Sequence, residues 1–142
     1  MGYRSMAASA LAAATLAIAA VVGADAPTPG LGHWITESGN YEVEIAPCAD
    51  KLCGTIVKVL GNRSMRDPSV EMVPADPRPA LGMQILTDLT PDGADEWSGN
   101  VYDRESGKTY SCRVTLLASG QLKVRGYVVL PMFGRTALWH RP

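Results

Sequence analysis

The residues with the most definite chemistry in this chain are its three cysteines. Cys48 and Cys53 flank Ala49 and Asp50 at the tip of a predicted hairpin. Two cysteines at this spacing can form a disulfide, or they can supply two of the four ligands of a metal site. Such a site needs two further ligands, and the chain has only two histidines in total, so we favour a disulfide and predict no metal site.

The third cysteine, Cys112, could act as a nucleophile only if it were exposed and activated by a base. It alternates with Tyr110, Val114 and Leu116, which is the pattern of one face of a strand. We therefore expect an inward-facing thiol without catalytic reactivity.

No catalytic residues are assigned. Acidic residues cluster at Asp92, Asp95 and Glu96 and again at Asp103 and Glu105, and glycoside hydrolysis uses two such carboxylates. Both clusters fall in predicted turns, however, where aspartate binds backbone amides. The chain also lacks a nucleophile-elbow serine, a phosphate-binding loop and a dinucleotide fingerprint, so we predict no cofactor.

Residues 1–24 have the order of a cleavable secretory signal peptide. Arg4 supplies a basic start, Met6 to Val22 is uncharged and apolar, and small residues follow, so we predict cleavage after Ala24. An uncleaved anchor is the alternative, but the run is short and alanine-rich for a bilayer core of about 30 Å. Export predicts a periplasmic or secreted protein, and no later segment is apolar enough to span a membrane.

The rest of the chain has the length of one domain, which we assign to residues 33–142, preceded by a flexible segment at residues 25–32. The formal net charge is −1. A chain without a basic excess has nothing to attract nucleic acid, so we predict no nucleic-acid partner. Nothing in the sequence specifies an oligomeric state.

The domain shows the period-two alternation of half-buried strands rather than a helical period. The alternation is clearest around residues 41–45, 110–116 and 122–126, and weaker signals bring the total to about eight strands. Short turns that end in glycine predict antiparallel neighbours. We therefore predict an all-β fold, a small antiparallel up-and-down β-barrel, with a two-sheet sandwich as the second choice.

The predicted inward face carries no charge, so the barrel is either filled or holds one small apolar ligand. The short strands and the single phenylalanine favour a filled or nearly filled interior. If a ligand binds, we expect it to contact Tyr41, Val43, Met83, Tyr110, Leu116 and Val124. The remaining predicted inward residues are Ile45, Val57, Val59, Ile85, Val101, Cys112, Val114 and Leu122.

The segment from Gly61 to Ala80 is unusually long for a connection in a compact domain and contains four prolines. Long loops are often functional, although a tolerated insertion is an equal alternative. We place this segment at the barrel mouth, where Asp67, Asp76 and Arg78 are the candidate site residues.

The two ends of the domain carry a pattern that resembles the lipocalin and calycin superfamily. Gly32-x-Trp34 precedes the first strand, and in such proteins an early tryptophan packs under the barrel beneath an arginine from the last strand. Arg135 and Arg141 are the two candidates here. The resemblance implies that Trp34 and one of these arginines close the barrel through a cation–π contact.

A second resemblance is closer and covers nearly all of residues 32–141. The chain is similar to a bacterial exported family called domain of unknown function 2147, although it reads Pro74-Ala75-Asp76-Pro77 where members often have Asn-Pro-Asp. The resemblance implies a lipocalin-like barrel outside the cytoplasm and no established reaction. The matching motifs are Gly32-x-Trp34, Cys48-x4-Cys53-Gly54, Arg78-Pro79-Ala80-Leu81-Gly82, Trp97-Ser98-Gly99-Asn100-Val101-Tyr102-Asp103, Gly107-Lys108-Thr109-Tyr110, Leu122-x-Val124-Arg125-Gly126 and Gly134-Arg135-Thr136-x-x-Trp139-x-Arg141.

These observations support three hypotheses. The first is an exported, non-enzymatic barrel module that binds a small apolar ligand. The second is a structural or protein-interaction module of the cell envelope with a filled barrel. The third is a hydrolase.

Overall fold

Eight antiparallel strands form the domain, as the alternation predicts. The computed structural model describes residues 30–127 and 134–142, so the predicted signal peptide and its cleavage site lie outside the described residues. Within these ranges no helix is long and apolar enough to cross a membrane. The strands are β1 Gly32–Ile35, β2 Tyr41–Cys48, β3 Lys51–Val59, β4 Gln84–Pro91, β5 Glu96–Asp103, β6 Lys108–Leu116, β7 Leu122–Tyr127 and β8 Gly134–Trp139.

The strands form one sheet whose order follows the chain from β1 to β8. The sheet curls until its two outer strands meet, at the last residue of β1 and at the residue that follows β8. There the Ile35 amide donates to the His140 carbonyl at 2.7 Å, and the His140 amide donates to the Ile35 carbonyl at 3.1 Å. The predicted up-and-down β-barrel is confirmed.

One end of the barrel is closed and densely packed. Trp34, Leu89, Val114 and Leu122 are each at most 1% exposed there. The small void among the side chains of this end has a volume of only about 10 Å³. Tight packing of this kind is what maintains a small single core.

The prediction for β3 is wrong in its inward face. Ile56 is buried, whereas Val57 is only partly buried and Val59 is 51% exposed. The pairing of β2 with β3 shifts register between Glu42 and Val43, and the pairing skips Val57. Ile56 pairs with Val43 on the inward side, whereas Val59 pairs with Tyr41 but is exposed at the end of the strand. Gly54 faces inward, and no side chain fits at this position, because a Cβ there would lie only 2.9 Å from the Leu86 Cβ atom.

The predicted disulfide between Cys48 and Cys53 is confirmed. It joins the two strands of the β2–β3 hairpin across a Cα–Cα distance of 5.5 Å. The turn it spans contains Ala49 at φ 58°, a left-handed conformation that costs energy in a residue with a side chain.

Replacing both Cys48 and Cys53 with serine should lower the free energy of unfolding by about 2 kcal/mol, the lower part of the usual range because the closed loop is short. Urea unfolding of the oxidised protein and the variant measures this difference. A reductant should destabilise the wild type and leave the variant unchanged. Equal sensitivity of both proteins to the reductant would contradict the prediction.

Candidate functional site

A cavity of about 730 Å³ occupies the end of the barrel opposite the packed core. The expectation of a filled interior is therefore wrong for this half of the molecule. Two inward positions of its lining on β7 and β8 carry little bulk, since Gly126 has no side chain and Ala137 has a single methyl group. The apolar wall consists of Tyr41, Ile85, Val101, Val124, Ala137 and Trp139.

The rim of the cavity is charged. It is formed by the turns between strands and by part of residues 61–80, which we call the mouth loop. Met65 and Met72, which both belong to this loop, add apolar surface to the lining of the cavity. Three acidic and three basic side chains also line the cavity, namely Glu37, Asp103 and Glu105, and Arg66, Arg104 and Arg135.

Asn40 holds the start of the mouth loop and is only 2% exposed. Its side chain accepts a hydrogen bond from the Arg63 amide and donates one to the Arg63 carbonyl, both at 2.8 Å. Its own carbonyl accepts from Leu60 at 2.7 Å. Sequence reasoning missed this residue because an asparagine between two strands looks like an ordinary turn residue.

Glu105 holds the middle of the mouth loop. Its carboxylate accepts hydrogen bonds from the Ser64 hydroxyl at 2.6 Å and from the Met65 amide at 3.1 Å. Asp103, the other acid of this cluster, accepts from the Glu105 amide at 3.0 Å. Both carboxylates thus have a structural partner, as is expected for acids in turns.

The candidate residues Asp76 and Arg78 pair with each other. The Arg78 Nε donates to Asp76 at 2.7 Å and its amide donates at 2.8 Å, which lowers the pKa of Asp76 well below its usual value. The Tyr102 hydroxyl also donates to Asp76 at 3.1 Å. Tyr102 lines the cavity, whereas neither Asp76 nor Arg78 does.

Asp67, the third candidate in the loop, is exposed and lies outside the cavity lining. Its carboxylate accepts hydrogen bonds from the Ser69 hydroxyl at 2.6 Å and the Ser69 amide at 3.0 Å, which lower its pKa. All three loop candidates therefore stabilise the conformation of the mouth loop rather than face the cavity.

The six predicted ligand contacts divide into two groups. Tyr41, Tyr110 and Val124 line the cavity. Val43 and Met83 are buried outside it, and Leu116 lies at the end of β6 that faces the packed core. The alternation places all six on the inward side but does not specify their height along the barrel axis.

The two arginines near the C-terminus have different positions. Arg141 lies over the indole ring of Trp34, with its guanidinium carbon 3.8 Å from the ring centroid. Its Nη1 also donates to the carbonyls of Leu31 and His33, at 2.9 and 3.0 Å. Arg135 instead donates to the Met65 carbonyl at 2.7 Å, at the rim of the cavity.

Two further groups of charged side chains lie on the outer surface. His33 contacts Glu42 and Glu44 at 2.8 and 3.1 Å on the outer face of β1 and β2. At the closed end Arg113 pairs with Asp92 and Glu96. Solvent-exposed pairs of this kind contribute little to stability and face no cavity.

Cys112 is fully buried, and this burial raises the pKa of its thiol to about 12. The thiolate is the reactive species, so the shift reduces reactivity at pH 8 on the order of a thousandfold, before steric protection is counted. We expect iodoacetamide to leave the native protein unmodified at pH 8 and to alkylate Cys112 once urea unfolds the chain. Rapid alkylation of the folded protein would contradict a buried thiol.

An eight-stranded antiparallel barrel, closed at one end by a tryptophan beneath an arginine and hollow at the other, is a lipocalin-like fold. Among solved structures, protein HP1028 from the human pathogen Helicobacter pylori, described as belonging to the lipocalin family, shares this fold. The two chains are 20% identical, the match covers 72% of each, and the TM-score is 0.52. At this level of sequence identity, the similarity between the two proteins concerns the fold alone.

Residues 32–141 match the family DUF2147, which is described as an uncharacterized protein conserved in bacteria. The match covers most of the chain, and the protein therefore belongs to this family. No curated protein matches the sequence.

Proposed function

We propose that this protein is an exported binding protein that holds a small, largely apolar ligand in the hollow half of its barrel. The observation that carries the proposal is the cavity of about 730 Å³, a volume within the range of roughly 300–1,000 Å³ that ligand sites occupy. Its wall is apolar and its polar groups are concentrated at the rim, so a ligand would bury its apolar part in the barrel.

Two further observations support export. The apolar run from Met6 to Val22 follows a basic residue and precedes small residues, as in signal peptides. The disulfide between Cys48 and Cys53 forms and persists in oxidising compartments such as the periplasm or the extracellular space.

The experiment is native mass spectrometry of the mature protein, purified gently from the envelope of a bacterial host. We expect a mass excess that disappears when the protein is unfolded and the ligand extracted. The stripped protein should then bind the uncharged dye Nile red with saturation. A bare mass together with no saturable dye binding would overturn the proposal.

A second candidate function is an interaction module of the cell envelope. It is favoured by the exposed apolar side chains that gather in and beside the mouth loop: Val59, Leu60, Val70, Val73 and Leu81 are each at least 50% exposed. Contiguous exposed apolar surface marks interaction sites. The negative outcome of the native mass measurement is the result that would favour this candidate.

A further inference from the structure

We infer that the ligand of this cavity is an amphiphile with a single anionic head group, bound by Arg104 and Arg135 at the rim and by the Tyr41 hydroxyl of the cavity wall. This inference rests on the proposed function and specifies which chemical class of ligand the site takes. Three independent features of the rim point to it.

The first feature is a pair of buried donors without partners. Three buried side-chain nitrogen or oxygen atoms in the described ranges lack a hydrogen bond. Two of them, the Tyr41 hydroxyl and the Arg104 Nε, belong to residues that line the cavity. A buried polar group without a partner is costly, and an Arg Nε can only donate. Both groups are therefore suited to a ligand that accepts hydrogen bonds.

The second feature is the state of the two arginines. Within residues 30–127 and 134–142, neither Arg104 nor Arg135 forms an ion pair. Their hydrogen bonds go to backbone carbonyls, from Arg104 to Arg78 at 3.1 Å and from Arg135 to Met65 at 2.7 Å. These contacts fix each guanidinium in place but leave its charge without a counterion.

The third feature is the state of the acids at the same rim. Glu105 already accepts two hydrogen bonds from Ser64 and Met65, and Arg66 lies 4.0 Å from it. Asp103 accepts from the Glu105 amide, and Glu37 accepts from the Leu138 amide at 3.3 Å. The carboxylates are thus engaged with donors of the protein itself, and the guanidinium groups of Arg104 and Arg135 are the charges available to a ligand.

The arrangement fits a carboxylate on a hydrocarbon chain. The chain would occupy the wall of Ile85, Val124 and Trp139, and the head would remain at the rim, where guanidinium groups bind carboxylates strongly through charge-assisted hydrogen bonds. The donor contacts of Arg104 and Arg135 with backbone carbonyls hold the head-group site before a ligand arrives, which lowers the entropic cost of binding.

The test measures displacement of Nile red by decanoate, decanol and decylamine, three probes with the same chain and different heads, below micelle-forming concentrations. We expect decanoate to bind about tenfold more tightly than decanol, with decylamine weakest. Arg104→Gln and Arg135→Gln should each remove most of the decanoate advantage and change decanol affinity less than twofold. Arg113→Gln, which makes the same charge change at the closed end, is the matched control and should change neither.

The outcomes separate the two proposals. If decanol binds the wild type as tightly as decanoate, or if decylamine binds best, the proposal of an anionic head group is wrong. The proposal that the barrel binds a ligand would still stand. If none of the probes, Nile red included, shows saturable binding, the proposed function itself is wrong. Arg104→Lys retains the charge and serves as a second variant if Arg104→Gln does not fold; it should keep part of the preference for decanoate.

Discussion

Replacing Trp34 with alanine is expected to lower the free energy of unfolding by about 3–5 kcal/mol, the range usual for removal of a buried aromatic side chain. The side chain is fully buried, its Nε1 donates to the Gly30 carbonyl at 2.9 Å, and its ring lies beneath Arg141. The change therefore has two effects. It removes the packing at the closed end, and it removes the contact through which Arg141 joins the first strand to the C-terminal segment. Urea unfolding followed by circular dichroism measures the loss.

A double-mutant cycle with Arg141→Ala separates these two contributions. Arg141→Ala alone should cost about 1–2 kcal/mol, because a cation–π contact and two hydrogen bonds to carbonyls are lost. In the Trp34→Ala background the same change should cost much less, since the ring is already absent. Equal costs in both backgrounds would show that the arginine stabilises the barrel independently of the indole.

Replacing Ala137 with tryptophan is expected to reduce the affinity for an apolar ligand at least tenfold. Ala137 lies on the inward side of β8, opposite Val124, and both side chains line the cavity. A large indole projecting from this position occupies the volume that the ligand needs, whereas the packed core below is not disturbed. Saturation binding of Nile red to the stripped protein measures the change.

The matched control is Ala118→Trp, which makes the same substitution in the exposed turn between β6 and β7. It should leave dye affinity unchanged, and both variants should unfold within about 1 kcal/mol of the wild type. Undiminished binding to the Ala137 variant would place the ligand outside the barrel and contradict the proposed function.

The strands were predictable because alternation is a local property. Apolar residues such as Val43 and Val114 recur at every second position of their strands. A sheet with one buried face requires this alternation whatever surrounds the sheet. The disulfide was predictable for the same reason, since Cys48 and Cys53 lie within one hairpin. Where the backbone departs from ideal pairing, as at the register shift beside Val43, the alternation misplaced Val57. Val59 lies opposite Tyr41, but the end of β3 leaves it exposed.

The mouth of the barrel was less predictable. The loop from Gly61 to Ala80 was assigned there, yet Asp76 and Arg78 bind each other, while Arg104 and Glu105, which line the rim, lie in a turn that looked ordinary. Arg135 was a candidate for closing the barrel and lies instead at the cavity. Contacts such as that of Arg135 with Met65 join residues 70 positions apart, and a pattern along the chain does not encode them.

The amino-acid sequence by itself determined the number of strands, their antiparallel order, the disulfide and the family, because each depends on residues that are neighbours in the chain or follow a fixed period. Only the tertiary structure decided that half of the barrel is hollow and that Arg141 rather than Arg135 covers Trp34. The interior volume depends on how far the sheet curls and on which residues of distant strands lie at the same height along the barrel axis. The cavity is such a case, because its wall combines side chains from β2, β4, β5, β7 and β8.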